Sequence, residues 1–157
     1  MPNSQPTLGF VLNDVARLLR KRFEQRARGL GLTRAQWQVL AYLSTNEGIH
    51  QGGLADLLDI EPITLVRILD KLEANGFVER RRHPTDRRIW LLHLTPKAHP
   101  MLGRMRVIGD ATRQDALEGL ADAERAQLLQ MLTTMKQNLL GACDRPIEEA
   151  GPDRVRA

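Results

Sequence analysis

Two apolar-periodic stretches, separated by Asp59-Ile60-Glu61 and followed at once by a charged hairpin, constrain this chain more than anything else in it. The stretch from about Gly52 to Leu58 reads as a short helix. A second helix begins at Pro62, where a first-turn proline belongs, and runs to about Asn75, with Gly76 as its cap. Leu65, Ile68, Leu69 and Leu72 give that helix one apolar face. Phe77 to Arg82 and Ile89 to Leu94 then read as the two strands of a hairpin. Two helices joined by a tight turn form a helix-turn-helix, and a hairpin directly after them makes it winged.

The hairpin tip is unusual in its chemistry. Glu79 to Arg88 gathers five arginines, two acids and a histidine into ten residues. Ordinary tips favour Asn-Gly or Asp-Gly, because those residues tolerate positive φ. Here Pro84 stiffens the turn, and the guanidinium groups point to an anionic partner. A narrow arginine-tipped hairpin can enter a minor groove while the preceding helix lies in the neighbouring major groove. A carboxylate two residues earlier can brace such an arginine through a charge-assisted hydrogen bond, and Asp86 and Arg88 have that spacing. Read blandly, Asp86 is a turn residue and the arginines, Arg87 included, are a solubility patch.

The second helix of the pair carries Thr64, Arg67 and Lys71 at i, i+3 and i+7, roughly opposite its leucines. A hydroxyl, a guanidinium and an ammonium on one stripe can meet base edges and phosphates. Such a stripe is also what a solvated face looks like, with Arg67, Asp70 and Lys71 joined in local ion pairs.

Around this centre the chain is helical. Apolar positions from Leu8 to Phe23 recur at helical spacing to about Arg28, and Gly29 and Gly31 stop that helix. Thr33 reads as the N-cap of the next, with Trp37, Leu40, Ala41 and Leu43 on one face and Asn46-Glu47-Gly48 at its end. A long helix is expected from about Pro96 to Leu120, and another carries Leu128, Leu132, Met135 and Leu139. The fold class is therefore mainly α with a small β-hairpin. After Leu140 the run GACDRPIEEAGPDRVRA is rich in charge, Gly and Pro, and 141–157 reads as a flexible tail.

Composition excludes more than it selects. A chain of 157 residues has room for one domain with a real core. Only 4% is aromatic, which suits helices better than a sandwich. The net charge of +4 permits a nucleic-acid partner without demanding one. A lone cysteine, Cys143, rules out an internal disulfide framework and reads as a bystander. No apolar run is long enough for a signal peptide or a membrane span, so a cytoplasmic location is expected. His50, His83, His93 and His99 are scattered without metal-ligand spacing, so no metal and no cofactor is expected.

With these residues laid out, the sequence resembles the MarR regulators, and within them the SlyA-like branch. The resemblance is carried by LTRAQWQVL at 32–40, LADLLDIEPITLVRILDKLEANGFVERR at 54–81 and DRRIWLLHLT at 86–95. The last matches the family's wing signature: an Asp, any residue, an Arg, then an alternating strand closed by Leu-Thr. More weakly, the resemblance spans about 8–140. It implies a winged helix-turn-helix domain over those residues, with a DNA-binding lobe at about 33–95 and dimerisation helices at about 8–28 and 96–140. It also implies a homodimer on a pseudo-palindromic double-stranded DNA operator. By matching position, Arg67 falls on the recognition-helix arginine, Arg88 on the minor-groove arginine and Asp86 on its brace. Thr64 and Lys71 come from the helical stripe alone.

Family members often take small aromatic acids or other anionic lipophiles between the dimerisation helices and the lobe. Here Arg17, Arg20 and Trp37 could supply the cations and the aromatic wall of such a cavity. Against that, Trp37 also fits plain core, and the basic run at 17–28 fits a solvated face. The family's peroxide sensors use a cysteine near the N-terminus, where this chain has none.

Other functions find less support. There is no G-x-S-x-G, Walker loop, Rossmann glycine signature or HExxH to argue for an enzyme. A winged helix used for protein contact needs no basic tip. RNA binding would favour exposed aromatics for stacking, and few aromatics here fall outside apolar-periodic sites.

Overall fold

The computed structural model describes residues 5–147 and divides the chain between Ala116 and Leu117 into two units. In the first, α1 (Leu8–Arg26) tightens into a 3-10 turn at Ala27–Leu30, a little before the expected stop. Ala27 and Leu30 are buried there, and Gly31, at φ 71°, takes the left-handed conformation that glycine adopts without a Cβ clash.

α2 (Arg34–Thr45) starts on the expected cap. The Gln36 backbone N–H donates to Thr33 Oγ1 at 3.2 Å, and the Thr33 N–H donates to Gln36 Oε1 at 3.0 Å. This reciprocal pair satisfies two donors that a helix start leaves orphaned. Trp37, Val39, Leu40 and Leu43 are buried along the helix.

α3 (Gln51–Leu58) begins one residue earlier than its sequence indicates, because His50 caps it: Nδ1 accepts the Gly53 N–H at 3.0 Å. The turn to the next helix passes through Asp59, which sits at φ 51°. Asp tolerates that region better than most residues, since its short polar side chain can bond locally.

α4 (Pro62–Ala74) has Pro62 in its first turn and buries Leu65, Leu69 and Leu72. Its end is a Schellman arrangement. The Phe77 N–H reaches the Leu72 carbonyl and the Gly76 N–H the Glu73 carbonyl, both at 2.9 Å, with Gly76 at φ 78°.

β1 (Val78–Arg82) and β2 (Trp90–Leu94) pair antiparallel, with Val78 opposite Leu94, Arg80 opposite Leu92 and Arg82 opposite Trp90. One feature was not expected from the sequence. The segment between α2 and α3 joins this sheet, with Gly48 N–H to Leu92 O at 2.8 Å, Leu92 N–H to Ile49 O at 2.9 Å and a bridge between His50 and Leu91. Glu47 Oε1 also accepts the Leu94 N–H at 2.9 Å. The hairpin is thereby stitched to the helices on its inner edge.

α5 (Ala98–Ala116) is shorter at both ends than the expected Pro96–Leu120. It lies against α1, where Asp115 accepts Arg22 Nε at 2.8 Å and Arg26 Nη1 at 2.7 Å. The Arg26 and then the Arg22 guanidinium hold the Asp115 carboxyl down at about 2. A single core joins the elements of this unit, with Leu40, Leu43, Leu54, Leu65, Leu69, Leu72 and Leu92 fully buried.

The second unit holds α6 (Asp122–Cys143), whose start is closed by the Ala121 N–H donating to Glu124 Oε2 at 3.1 Å. Leu128, Leu132 and Met135 are half-buried and Leu139 is exposed. The helix runs through Gly141 to Cys143, into the first residues of the segment expected as a tail. One glycine near a helix end costs only about 1 kcal/mol relative to alanine. The rest of that tail, 148–157, lies outside the described residues.

Candidate nucleic-acid interface

α4 separates its two faces cleanly. Leu65, Leu69 and Leu72 are buried, while Thr64, Arg67 and Lys71 are all exposed. Ile63 joins them at the helix start, 61% exposed, an apolar side chain that the polar stripe did not reveal. Neither Arg67 nor Lys71 has an ion-pair partner among the described residues, so the local pairing with Asp70 that the sequence left open does not form. Asp70 is engaged elsewhere, by Arg80.

The tip of the hairpin is a built turn. His83 Nδ1 accepts the backbone N–H of Thr85 at 3.2 Å and of Asp86 at 3.3 Å. That folds the chain back so that Asp86 meets Arg88 three times. The Arg88 backbone N–H reaches Oδ1 at 3.0 Å, Nε reaches Oδ1 at 3.1 Å and Nη2 reaches Oδ2 at 3.1 Å. The side-chain bonds from Arg88, then its backbone N–H, lower the Asp86 carboxyl below its ordinary range, so it stays ionised at neutral pH. Arg88 remains 89% exposed in its side chain. A planar guanidinium held by two bonds has lost much of its rotamer freedom before it meets any partner.

The five arginines do not act as one patch. Arg87 is exposed at the tip without an ion-pair partner among the described residues, and Arg88 is braced beside it. Arg82 lies over the Trp90 ring, 4.4 Å from its centroid, and donates to the Arg87 carbonyl at 2.7 Å. Arg81 pairs with Glu79. Arg80 turns inward, because residues alternate across a strand and its opposite number, Leu92, faces the core. Between the wing and the starts of α3 and α4 lies an open cleft of about 270 Å³, lined by His50, Gln51, Pro62, Val66, Arg88 and Trp90 among others.

The three residues suggested for an effector cavity are not brought together. Trp37 is core, its ring centroid 4.3 Å from that of Phe23. Arg17 is on the outside of α1, paired with Asp14 at 3.2 Å, and Arg20 is half-exposed. A different cleft of about 270 Å³ opens between α1 and α5, with Val15, Leu18, Leu19 and Ala116 as its apolar wall and Arg22 and Asp115 at its edge. Helical spacing alone could not have found it, because its lining is shared between distant segments. Three of the four histidines have local work: His50 caps α3, His83 closes the hairpin turn, and His93 Nδ1 stands 3.9 Å from Glu47 Oε1.

A family model described as MarR family matches residues 30–89. Among solved structures, the chain is similar to a MarR transcriptional regulator from Methanosarcina mazei Go1, at 26% identity and a TM-score of 0.78 over 86% of this chain and 97% of that one. It is similar to the transcriptional regulator PA3341 at 34% identity and a TM-score of 0.75, covering 86% and 99% of the two chains. It is also similar, at 34% identity and a TM-score of 0.68, to the transcriptional repressor CouR bound to a 23-mer DNA duplex, over 83% and 92% of the chains.

Proposed function

This chain belongs to the MarR family, a family of transcription regulators and not of enzymes, and we propose that it binds duplex DNA sequence-specifically as a homodimer. The observation that carries the reading is the pairing of two exposed, pre-shaped elements in one lobe. One is the Thr64, Arg67 and Lys71 stripe of α4; the other is the wing tip with Arg87 and with Arg88 braced by Asp86. In this reading α4 enters a major groove and the wing tip the adjacent minor groove. Titration against duplexes recovered from a random pool tests it, with scrambled duplex and excess single-stranded RNA as competitors. The pool should yield a pseudo-palindrome with half-site centres about 10 bp apart, or a multiple of that, because two-fold related lobes require two-fold related DNA. Footprints confined to one asymmetric half-site, or no preference for any duplex, would refute it. The latter result is also what a winged helix used only for protein contact would give.

Homodimerisation is supported by apolar side chains with nothing to cover them within their own unit. On α1, Leu8, Phe10 and Val11 are exposed, Phe10 at 72%. On α6, Leu129, Met131, Leu139 and Leu140 are exposed, and no residue of that helix is buried. Soluble monomers rarely leave so many large apolar side chains of one helix to water. Light scattering at micromolar concentration should return twice the 17.7 kDa chain mass, and a stable mass of one chain would sink the dimer.

The reading further assigns modulation by a small anionic or aromatic ligand. The cleft between α1 and α5 supports it by offering an apolar wall beside the Arg22 guanidinium. No helix among the described residues is long and apolar enough to cross a membrane, which accords with a regulator working in the cytoplasm.

A further inference from the structure

Arg80 is the arginine of the wing that does not reach outward. It leaves β1 on the core side with a side chain only 16% exposed, and all of its guanidinium nitrogens are bonded. Nε donates to Gln51 Oε1 of α3 at 2.8 Å. Nη1 donates to Glu73 Oε2 of α4 at 2.7 Å, and Nη2 to Asp70 Oδ1 of α4 at 2.7 Å and to the Val66 carbonyl at 3.3 Å. One side chain thus joins the wing to both helices of the helix-turn-helix.

Three consequences follow from that geometry. Asp70 and Glu73 are i, i+3 neighbours of like charge, which repel on a helix surface unless a cation lies between them. Asp70 is also the i+3 neighbour of Arg67, close enough to capture its guanidinium as a local ion pair. With Asp70 committed to Arg80, Arg67 has no such partner among the described residues. The wing and α4 must also present their arginines to adjacent grooves at a set separation, and a forked, partly buried donor holds that separation better than apolar packing can.

We propose that Arg80 is a positioning residue for DNA recognition, fixing the wing to the recognition helix and keeping Asp70 from capturing Arg67. This rests on the DNA-binding reading above. Its test is a set of variants titrated against the selected and scrambled duplexes, with thermal unfolding followed in parallel. Arg80→Met keeps an apolar stem and removes every donor; Arg80→Lys keeps the charge but not the fork. Affinity for the selected duplex should fall about tenfold in Arg80→Met, with a much smaller fall on the scrambled duplex, so the preference itself narrows. Arg80→Met combined with Asp70→Asn should regain part of that preference, because the residue beside Arg67 no longer carries a charge.

A merely structural role would lower the unfolding temperature and leave the ratio of the two affinities unchanged in the folded protein. That outcome would overturn the proposal, as would a double variant no better than the single one. Should Arg80→Met fail to fold, Arg80→Lys decides: it must narrow the preference too, and an unchanged ratio overturns the inference. A wild-type protein that prefers no duplex would instead bring down the DNA-binding reading, and this inference with it.

Discussion

Arg67→Ala is expected to weaken binding to the selected duplex by about 1–3 kcal/mol and to narrow the gap to scrambled DNA. The side chain is exposed, unpaired among the described residues and in line with Thr64 and Lys71, so on the DNA-binding reading its removal takes away base contacts without a cost to folding. Arg88→Ala should behave differently. A wing arginine in a minor groove senses groove width and phosphate potential more than base identity. Its loss should weaken both duplexes, flatten the salt dependence and lessen any preference for A·T-rich flanks. Asp86→Ala should mimic it in part, by releasing the two side-chain bonds that aim Arg88. It also removes a carboxylate that repels phosphate, so its loss of affinity should be smaller than that of Arg88→Ala. Titrations of the three variants at several salt concentrations check this. Wild-type affinity of Arg88→Ala on both duplexes would mean that the wing does not touch DNA.

Leu69→Ala should cost about 2–5 kcal/mol of stability, the range for a leucine whose removal leaves a cavity that neighbours cannot fill. Leu69 is fully buried on the face of α4 opposite Arg67, inside a cluster with Leu43, Leu54, Leu65 and Leu72. Urea denaturation gives the number, and a loss below about 1 kcal/mol would mean that the site collapses around the truncation. The comparison with Arg67→Ala separates the two faces of one helix. The leucine variant should bind DNA like wild type in whatever fraction remains folded, while the arginine variant should be fully folded and bind poorly.

Much of this was legible from one dimension. Helical spacing found the buried face of α4 and, by exclusion, the Thr64, Arg67 and Lys71 stripe, because 3.6-residue periodicity is a local property. Pro62, Thr33 and Gly76 marked boundaries for equally local reasons: a missing N–H, a side-chain acceptor, a tolerated positive φ. The brace between Asp86 and Arg88 spans two residues, within reach of spacing alone. His50 escaped notice as a cap, since imidazole stands outside the usual set of capping side chains, and His83 likewise as the acceptor that closes the hairpin turn.

What lay beyond the sequence was the choice among partners. Asp70 had Arg67 three residues away and Arg80 ten residues away, and local proximity favoured the first. Folding decided for the second, because strand alternation turns Arg80 inward, where its desolvated guanidinium needs every acceptor within reach. Local patterning was enough to tell which helices and strands form and, for α2 and α4, which faces they bury. Which of five neighbouring arginines faces outward and which turns in to bridge the wing to α3 and α4 was settled by packing. A long cationic side chain carries no local periodicity to betray its direction; burial of the strand beneath it sets that.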